Sequence, residues 1–220
     1  MSSGDTNPSE STRSAPPEER ILNLVLLGQT GAGKSACGNT ILRREVFPSQ
    51  ASSMPVTTEC KAVTSNMYPQ VRVIDTPDFF DEDIKGEHLS KCRELCRTGP
   101  CVYLLVMQAG RFTDGERGIL EKLETAFKGK IRERMIVLFT HGENLQRSDM
   151  TEDQFVSEAE PHLQQVVKDC GGRYHVFKNK DKSREQVLQL VEKIRVIAPG
   201  KYFLDSATEP NCVGSNCILL

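Results

Sequence analysis

Short apolar runs, separated by longer stretches of mixed polarity, follow one another along the chain from residue 20 onward. An unbroken apolar run is typical of a parallel strand that is buried on both faces. Such runs predict strands at 21–27, 71–74, 101–107, 135–139 and 174–177. The helical spacing of apolar residues predicts helices at 33–44, 86–97, 114–127, 152–169 and 183–196. Strands that alternate with helices in this way predict a doubly wound α/β sheet.

Both ends of the chain differ in composition from this central part. Residues 1–19 are rich in Ser, Pro and Glu and hold almost no apolar side chains. They predict a disordered tail, because such a segment buries too little surface to offset its ordering entropy. Residues 199–220 are polar up to their last four positions and predict a flexible C-terminal tail. The sequence thus predicts one globular domain over residues 20–198.

Charge and composition exclude several classes of function. A net charge of −2 and the absence of Trp offer neither a basic face nor a stacking surface, so no nucleic-acid partner is expected. The sequence shows no secretory signal, and no window reaches the roughly 18 apolar residues of a membrane-spanning helix. The eight cysteines lack the paired spacing of zinc sites, which favours reduced thiols in a cytoplasmic protein.

A glycine-rich motif stands between the first predicted strand and the first predicted helix. Residues 28–35 read Gly-Gln-Thr-Gly-Ala-Gly-Lys-Ser and satisfy G-x4-G-K-S, the phosphate-binding loop. Backbone N–H groups of such a loop, together with the positive end of the helix dipole, bind phosphate oxygens. Lys34 is expected to bridge the β- and γ-phosphates, and the Ser35 hydroxyl to bind Mg²⁺. The predicted nucleotide-binding residues of this loop are Gly28, Gln29, Thr30, Gly31, Ala32, Gly33, Lys34, Ser35 and Ala36.

An acidic residue follows the second predicted strand. Asp75 fits the aspartate that holds Mg²⁺ through a water molecule in P-loop nucleotide-binding proteins. It begins the segment Asp75-Thr-Pro-Asp78, whose fourth position is glycine in most GTPases and gives its N–H to the γ-phosphate. Asp78 therefore departs from the usual pattern at a position that is expected to face the nucleotide.

The strand predicted at 101–107 is followed by Gly110-Arg-Phe-Thr113. The whole segment 99–113 resembles the "conserved box" of the GTPases of immunity-associated protein (GIMAP) family, also called AIG1-type GTPases. Asp75-Thr-Pro-Asp78 also resembles the family's D-T-P-D/G form, and the resemblance extends from Leu22 to about Ile197. It implies a Ras-like P-loop GTPase domain that binds GTP or GDP with Mg²⁺. The implied fold is a doubly wound, mostly parallel six-stranded sheet with helices on both faces.

The resemblance also implies two loops that bind the guanine base. Residues 140–143 read Thr-His-Gly-Glu and are similar to the family's T-[RHK]-x-[DE] motif. Glu143 would accept from guanine N1–H and the exocyclic amine, and adenine, which lacks this donor pair, would leave the carboxylate unpaired. Residues 177–180 resemble the family's F-N-N motif, from which Lys178 departs. The predicted base-binding residues are His141, which would pack on the base, Gly142, Glu143 and Asn179.

A further loop, residues 47–60, corresponds to switch I of the family. Thr57 best matches the threonine that binds Mg²⁺ when the γ-phosphate is present, and the adjacent Thr58 is the alternative. Ser49 is expected on the ribose side of the nucleotide. The predicted metal ligands are Ser35, Thr57 and Asp75.

Two residues bear on hydrolysis. In Ras-like proteins a Gln shortly after D-x-x-G orients the attacking water. Phe79 takes that position here and can neither accept a proton from water nor align it, so slow intrinsic hydrolysis is expected. Arg111 of the box is the candidate catalytic residue, acting in trans across a GTP-dependent homodimer, as the resemblance implies. The alternative is a nucleotide-dependent scaffold with negligible turnover.

The last four residues have the form of a prenylation signal. Cys217-Ile-Leu-Leu220 is a C-a-a-X box whose final Leu favours a geranylgeranyl group, and Cys212 offers a site for a second lipid. The sequence thus predicts peripheral attachment to a membrane. Intact-mass spectrometry of protein from eukaryotic cells is expected to show a geranylgeranyl adduct on Cys217 with residues 218–220 removed. An unmodified C-terminus at full occupancy would contradict this expectation.

Overall fold

A six-stranded sheet forms the centre of the domain. The computed structural model describes residues 21–49, 57–65, 71–79, 86–112, 116, 118–181 and 183–198. Its strands are β1 Leu22–Leu27, β2 Lys61–Thr64, β3 Val71–Asp75, β4 Cys101–Gln108, β5 Met135–Thr140 and β6 Tyr174–Val176. They lie in the order β2-β3-β1-β4-β5-β6, with β2 antiparallel to β3 and the other pairs parallel. The mostly parallel six-stranded sheet is thereby confirmed.

Helices cover both faces of this sheet. Within the described residues they are α1 Lys34–Leu42, α2 Gly86–Leu95, α3 Ile119–Phe127, α4 Gly142–Arg147, α5 Glu152–Ser157, α6 Pro161–Asp169 and α7 Glu185–Ile197. Alternate residues of β1 point to opposite faces: Leu24 and Leu26 pack with α1 and α7, whereas Val25 and Leu27 pack with α2, α3 and α6. All of β1 is buried, which explains why every residue of it except Asn23 is apolar.

The prediction of one helix over 152–169 is wrong. The structure has two helices there, and Pro161 occupies the first position of α6, because proline lacks the N–H that a continuous helix requires. Glu160 caps α6 by accepting a hydrogen bond from the His162 N–H at 2.9 Å. Thr151 and Gln154 form a reciprocal capping box at the start of α5.

Two elements were absent from the predicted pattern. Strand β2 has four residues, none of them buried, so it carries no apolar run, and it forms only by pairing with the edge of β3. Helix α4 has six residues and follows His141, whose φ of 61° is left-handed. Both are too short for a periodic signal, and tertiary contacts define them.

The other predicted boundaries differ from the observed ones by a few residues. Helix α1 stops at Leu42 because Arg43 adopts a left-handed conformation with φ 54°. Helix α2 stops at Leu95, and a 3-10 turn, Cys96–Thr98, continues the segment that was predicted as helix to residue 97. Helix α3 begins at Ile119, later than the predicted start at 114.

Parallel strands place the loops that follow them at one edge of the sheet. The segments after β1, β3, β4, β5 and β6 all leave from the carboxyl edge, where ligands of open α/β sheets bind. Within the described residues, no helix is both long and apolar enough to cross a bilayer. The predicted tails 1–19 and 199–220, with Cys212 and Cys217, lie outside the described residues, so those predictions and the lipid attachment stay predictions.

Candidate nucleotide-binding site

The phosphate loop connects β1 to α1 and is pressed against the neighbouring strands. Gly28 has φ 140°, and a Cβ at this position would lie 2.3 Å from the carbonyl oxygen of Val106 in β4. Gly33 has φ 98°, and its Cβ would lie 3.0 Å from Thr140 Cγ2 at the end of β5. Only glycine meets both demands, so the motif's glycines are required by packing as well as by phosphate chemistry.

Lys34 lies folded back across this loop. Its Nζ donates to the carbonyl oxygens of Gly28 at 2.8 Å and Gln29 at 2.9 Å, and the residue is only 7% exposed. Burial lowers the pKa of Lys34, and the carboxylates of Asp78 and Asp75 oppose that shift. A buried ammonium group held at the N-terminus of a helix forms an anion site.

The three predicted metal ligands meet beside Lys34. Ser35 Oγ donates to Asp75 Oδ2 at 2.7 Å and lies 3.1 Å from Thr57 Oγ1, which in turn lies 3.3 Å from Asp75 Oδ2. Asp75 is 2% exposed, and its Oδ1 has no hydrogen-bond partner among the described residues. Burial raises the pKa of Asp75, while hydrogen bonds from Ser35 and Thr57 and the charge of Lys34 oppose the rise. Such a cluster of oxygens matches the ligands that Mg²⁺ prefers.

The structure separates the two switch I threonines. Thr57 is half-buried against Ser35 and Asp75, whereas Thr58 is exposed. Ser49 is also exposed, and its Oγ accepts from Asn39 Nδ2 at 3.3 Å.

Asn39 on α1 is a residue that the sequence analysis missed. It is 5% exposed, and its Oδ1 accepts from the N–H groups of Val46 and Phe47, both at 2.9 Å. Its Nδ2 also donates to the Phe47 carbonyl at 2.8 Å. Asn39 therefore fastens the chain that leads into switch I to α1. An Asn inside a helix gives no sequence signal for this role.

The first base loop follows β5 and contains Glu143. His141 adopts φ 61°, and its Nδ1 lies 3.0 Å from Thr140 Oγ1. A Cβ at Gly142 would lie 2.5 Å from Val176 Cγ1, so only glycine fits there. Glu143 Oε2 is buried without a hydrogen-bond partner among the described residues. A buried carboxylate oxygen without a hydrogen-bond donor is unfavourable unless a ligand donates a hydrogen bond to it.

The second base loop is joined to the first and to α1. The Gly142 N–H donates to the Phe177 carbonyl at 3.0 Å. Asn179 Oδ1 accepts from Thr40 Oγ1 at 2.9 Å, and its Nδ2 lies 3.7 Å from Cys37 Sγ. The Asn179 side chain thus holds this loop against α1. Lys178 is half-buried, and its N–H donates to Gln186 Oε1 at 3.0 Å.

Asp78 and Phe79 lie on the phosphate side of the site. Asp78 Oδ2 accepts from the Thr30 N–H of the phosphate loop at 2.5 Å. Phe79 is half-buried and meets Phe127 of α3 edge to face, with ring centroids 5.9 Å apart. The Asp78 carboxylate therefore accepts a hydrogen bond from an N–H group of the phosphate loop. Phe79, packed on α3, stands where Ras-like proteins have a glutamine.

Arg111 follows β4 at the same edge of the sheet. It is exposed, and its side chain makes no hydrogen bond or ion pair with the described residues, although its N–H donates to the Gln108 carbonyl at 3.1 Å. Its neighbour Thr113 lies outside the described residues. The structure brings Arg111 to the loop edge with no side-chain partner among the described residues.

Two buried threonines join the loops and were not singled out from sequence. Thr140 Oγ1 is within hydrogen-bond distance of the carbonyls of Ala32 at 2.9 Å and Met107 at 3.3 Å. Thr76 Oγ1 donates to the Leu26 carbonyl at 2.6 Å. Thr140 thus connects the end of β5 to the phosphate loop, and Thr76 connects the segment after β3 to β1.

Fold and site together define a Ras-like P-loop GTPase domain. The model of the AIG1 family matches residues 22–211, and the chain belongs to this family.

Relatives of this chain occur in animals and plants. It is 36% identical over 187 residues to the mouse protein "GTPase IMAP family member 8", a match that covers 81% of this chain and 27% of the relative. It is 37% identical over 199 residues to the Arabidopsis thaliana "Immune-associated nucleotide-binding protein 3", a match that covers 83% of this chain and 59% of the relative. The chain thus spans only part of the length of these relatives.

Solved structures with the same fold include Toc33 from Arabidopsis thaliana. A dimerization-deficient mutant of Toc33 matches with a TM-score of 0.60 at 16% identity, over 82% of this chain and 85% of Toc33. Toc33 in complex with Mg²⁺ and GMPPNP matches with a TM-score of 0.59 at 16% identity, over 84% of this chain and 88% of Toc33. At this identity the likeness concerns the fold.

Proposed function

We propose that this chain binds GTP and GDP with Mg²⁺ and hydrolyses GTP slowly as an isolated protomer. The observation that carries the proposal is a pair of buried carboxylate oxygens, Asp75 Oδ1 and Glu143 Oε2, that have no hydrogen-bond partner among the described residues. Asp75 ends β3 and Glu143 lies in the first turn of α4 after β5, so both are at the same edge of the sheet, on either side of β1 and the Lys34 that follows it. One is suited to a metal ion and the other to the donors of guanine.

The residues present fit both implied groups. Ser35, Thr57 and Asp75 supply hard oxygen ligands, and Mg²⁺ bound there would neutralise charge on the β- and γ-phosphates. Lys34, released from the carbonyls of Gly28 and Gln29, would pair with phosphate oxygens. The AIG1 relatives named as GTPases and nucleotide-binding proteins, and Toc33 bound to GMPPNP and Mg²⁺, support the same conclusion.

Slow hydrolysis follows from Phe79. Its ring packs on Phe127 of α3, so this position offers no group that accepts a proton from water or orients it. Asp78 Oδ2 accepts a hydrogen bond from the Thr30 N–H, with an N···O distance of 2.5 Å. A γ-phosphate that takes over this N–H has to displace the carboxylate, because two anions repel each other at such a distance.

Arg111 is the group that we assign to faster hydrolysis across a dimer. It is exposed at the loop edge and has no ion-pair partner among the described residues, so it is free to approach the nucleotide of a second copy. An arginine placed there stabilises charge that develops on the transferred phosphoryl group. A further solved structure with this fold is described with the statement that dimerization is important for the GTPase activity of the chloroplast translocon components Toc33 and Toc159, which supports this assignment.

The test is the dependence of GTP turnover on protein concentration. Specific activity is expected to rise with concentration, because a group acting in trans makes the step bimolecular. Arg111→Ala should flatten this dependence and leave GTP affinity within about twofold, since the arginine acts on transition-state charge. Arg134→Ala is the matched control, an exposed arginine at the opposite edge of the sheet that should behave like the unmodified chain.

The second candidate is a nucleotide-dependent scaffold, which the packing of Phe79 on α3 favours. In this case GTP would drive assembly with negligible turnover at every concentration. A flat, low rate in the unmodified chain, or equal rates for the Arg111→Ala and Arg134→Ala variants, would leave the scaffold as the remaining function.

A further inference from the structure

Four cysteines lie together in the core between α2 and the sheet. Cys60, Cys92 and Cys101 belong to one buried cluster, and Cys96 packs against it. Cys96 is half-buried in the 3-10 turn that follows α2. All four are reduced in this structure. We refer to Cys60, Cys92, Cys96 and Cys101 as the thiol row.

The row runs away from the nucleotide-binding edge of the sheet. Cys60 immediately precedes Lys61, which pairs with Asp75 at the carboxyl end of β3. Cys101 opens β4 and pairs with Asn23 near the amino end of β1. From Asn23 to Gly28 the strand rises about 3.3 Å per residue, which puts Cys101 roughly 15 Å from the phosphate loop.

Geometry favours one pair at the far end of this row. Cys92 and Cys96 lie one helical turn apart, where Cβ atoms are about 5–6 Å from each other, and a disulfide needs about 3.5–4.5 Å. Cys96 and Cys101 belong to different elements joined by a short turn, and Cys101 Sγ donates to the Cys96 carbonyl oxygen at 3.2 Å. The turn through Gly99 can bring the two sulfur atoms together without bending α2.

The two thiols of this pair differ in chemical character. Hydrogen bonds from the thiols of Cys101 and Cys92 lower the pKa of Cys96, and Cys96 is also the most exposed member of the row. The hydrogen bond to Cys96 and then burial raise the pKa of Cys101. A partly exposed thiol with a lowered pKa beside a buried thiol with a raised pKa is the arrangement of a reactive cysteine with a resolving partner.

Asn23 provides an independent observation at the same place. It is fully buried in β1, and neither its Oδ1 nor its Nδ2 has a hydrogen-bond partner among the described residues by distance and angle. It stands beside Cys101 in the sheet. A buried amide without partners is costly, and a redox role nearby is one of the explanations for such a group.

We propose that Cys96 and Cys101 form a peroxide-sensitive disulfide, a modification site separate from the nucleotide site. The Cys96 sulfur attacks a hydroperoxide oxygen, the O–O bond breaks, and the leaving hydroxide takes a proton to become water, which leaves a sulfenic acid on Cys96. The Cys101 sulfur then attacks the Cys96 sulfur, so that the S–S bond forms and the S–O bond breaks. The proton of Cys101 leaves with the hydroxyl as a second water. Two thiols lose two electrons in total, and one peroxide is reduced.

A metal site is the competing interpretation of four neighbouring cysteines. Zinc requires its thiolates around one point in a tetrahedron, whereas Cys60 lies next to the carboxyl end of β3 and Cys101 lies near the amino end of β1. In the described part of the chain, no group of three or more His, Cys, Asp or Glu side chains is arranged to hold a metal ion. Oxidation is therefore the chemistry that the row supports.

The test uses the full reduced chain, treated with hydrogen peroxide and then with N-ethylmaleimide. Tryptic peptides are mapped by mass spectrometry, because Cys212 and Cys217 also react and total adduct counts would mix the sites. Trypsin cleaves after Arg93, Arg97 and Arg111, so Cys96 and Cys101 fall in different peptides and a disulfide links them. The linked pair should appear with a loss of two hydrogens, at a rate at least roughly tenfold above oxidation of Cys170, because Cys96 is more exposed and has the lower pKa.

Two variants and one control separate this disulfide from general oxidation. Cys96→Ser should abolish the link, and Cys101→Ser should leave a sulfenic acid on Cys96 that dimedone captures. Cys170→Ser is the matched control, since Cys170 is buried and burial raises its pKa to about 12. It should leave the link unchanged, and GDP affinity should stay within about twofold on oxidation because the pair lies far from the phosphate loop. Full maleimide labelling of Cys96 and Cys101 after peroxide, or a disulfide that joins Cys60 and Cys92 instead, would overturn the proposal.

Discussion

Replacement of Lys34 by Met is expected to lower the affinity for both GTP and GDP at least about 100-fold, which corresponds to roughly 2.7 kcal/mol. Met retains the length of the side chain and removes the charge. Loss of one partner from a buried, hydrogen-bonded charge pair weakens binding by about 2–5 kcal/mol. Because Lys34 donates only to carbonyls of its own loop in this structure, its replacement should leave the sheet intact.

Isothermal titration with each nucleotide measures the change, and a circular dichroism spectrum shows whether the fold is preserved. Lys122→Met is the matched control, because Lys122 is exposed on α3 and its replacement should leave affinity unchanged. If Lys34→Met binds nucleotide as the control does and the spectra coincide, the phosphate loop does not bind nucleotide as assigned.

Replacement of Glu143 by Gln should lower GTP affinity by about 100-fold and remove the preference for guanine over adenine. Gln has nearly the same shape as Glu but replaces one acceptor oxygen by a donor, which would then face a donor of the base. The buried Oε2 has no partner among the described residues, so the carboxylate is available to a ligand. Hydrogen-bonding sites discriminate strongly in this way, because the wrong base leaves buried groups unpaired.

Titration of the unmodified chain and the variant with GTP, ATP and xanthosine triphosphate tests this assignment. Xanthine carries an oxygen where guanine carries the exocyclic amine, so Glu143→Gln should gain affinity for it. Glu133→Gln, at the exposed turn before β5, is the control at the opposite end of the same strand. ATP binding by the unmodified chain within about tenfold of GTP would show that the base loop is assigned wrongly.

Asp78 gives the site a property that the usual glycine would not. Its carboxylate accepts from the Thr30 N–H, a group of the phosphate loop. The segment after β3 is thereby held to the phosphate loop by an anionic side chain. A γ-phosphate bound at this N–H would compete with the contact and, under our proposal, would shift that segment.

Sequence alone was sufficient for elements and motifs whose signal is local. The buried strands β1, β4 and β5 produce apolar runs because helices cover both faces, and their prediction required no partner. The phosphate loop is likewise local, since glycines, lysine and serine act within eight consecutive residues. The capping box at Thr151 is of the same kind.

Elements and contacts that depend on distant partners were beyond such reasoning. Strand β2 exists because β3 offers an edge, and Pro161 divides a helical pattern that the apolar spacing alone joins. Asn39 braces the chain before switch I, a role visible only once residues 45–47 fold back on α1. Each of these depends on the path of the chain between elements, which local periodicity does not encode.

The sequence by itself determined the strand–helix alternation, the phosphate loop and the family to which the chain belongs. Tertiary structure alone decided that Thr57, and not Thr58, meets Ser35 and Asp75, and that Glu143 keeps a buried unpartnered oxygen. It also brought four cysteines, separated by up to 41 positions between Cys60 and Cys101, into or against one core cluster. The physical reason is that hydrogen bonds and thiol contacts act over a few ångströms in space, and only the packing of α2 and the loops against the sheet sets those distances.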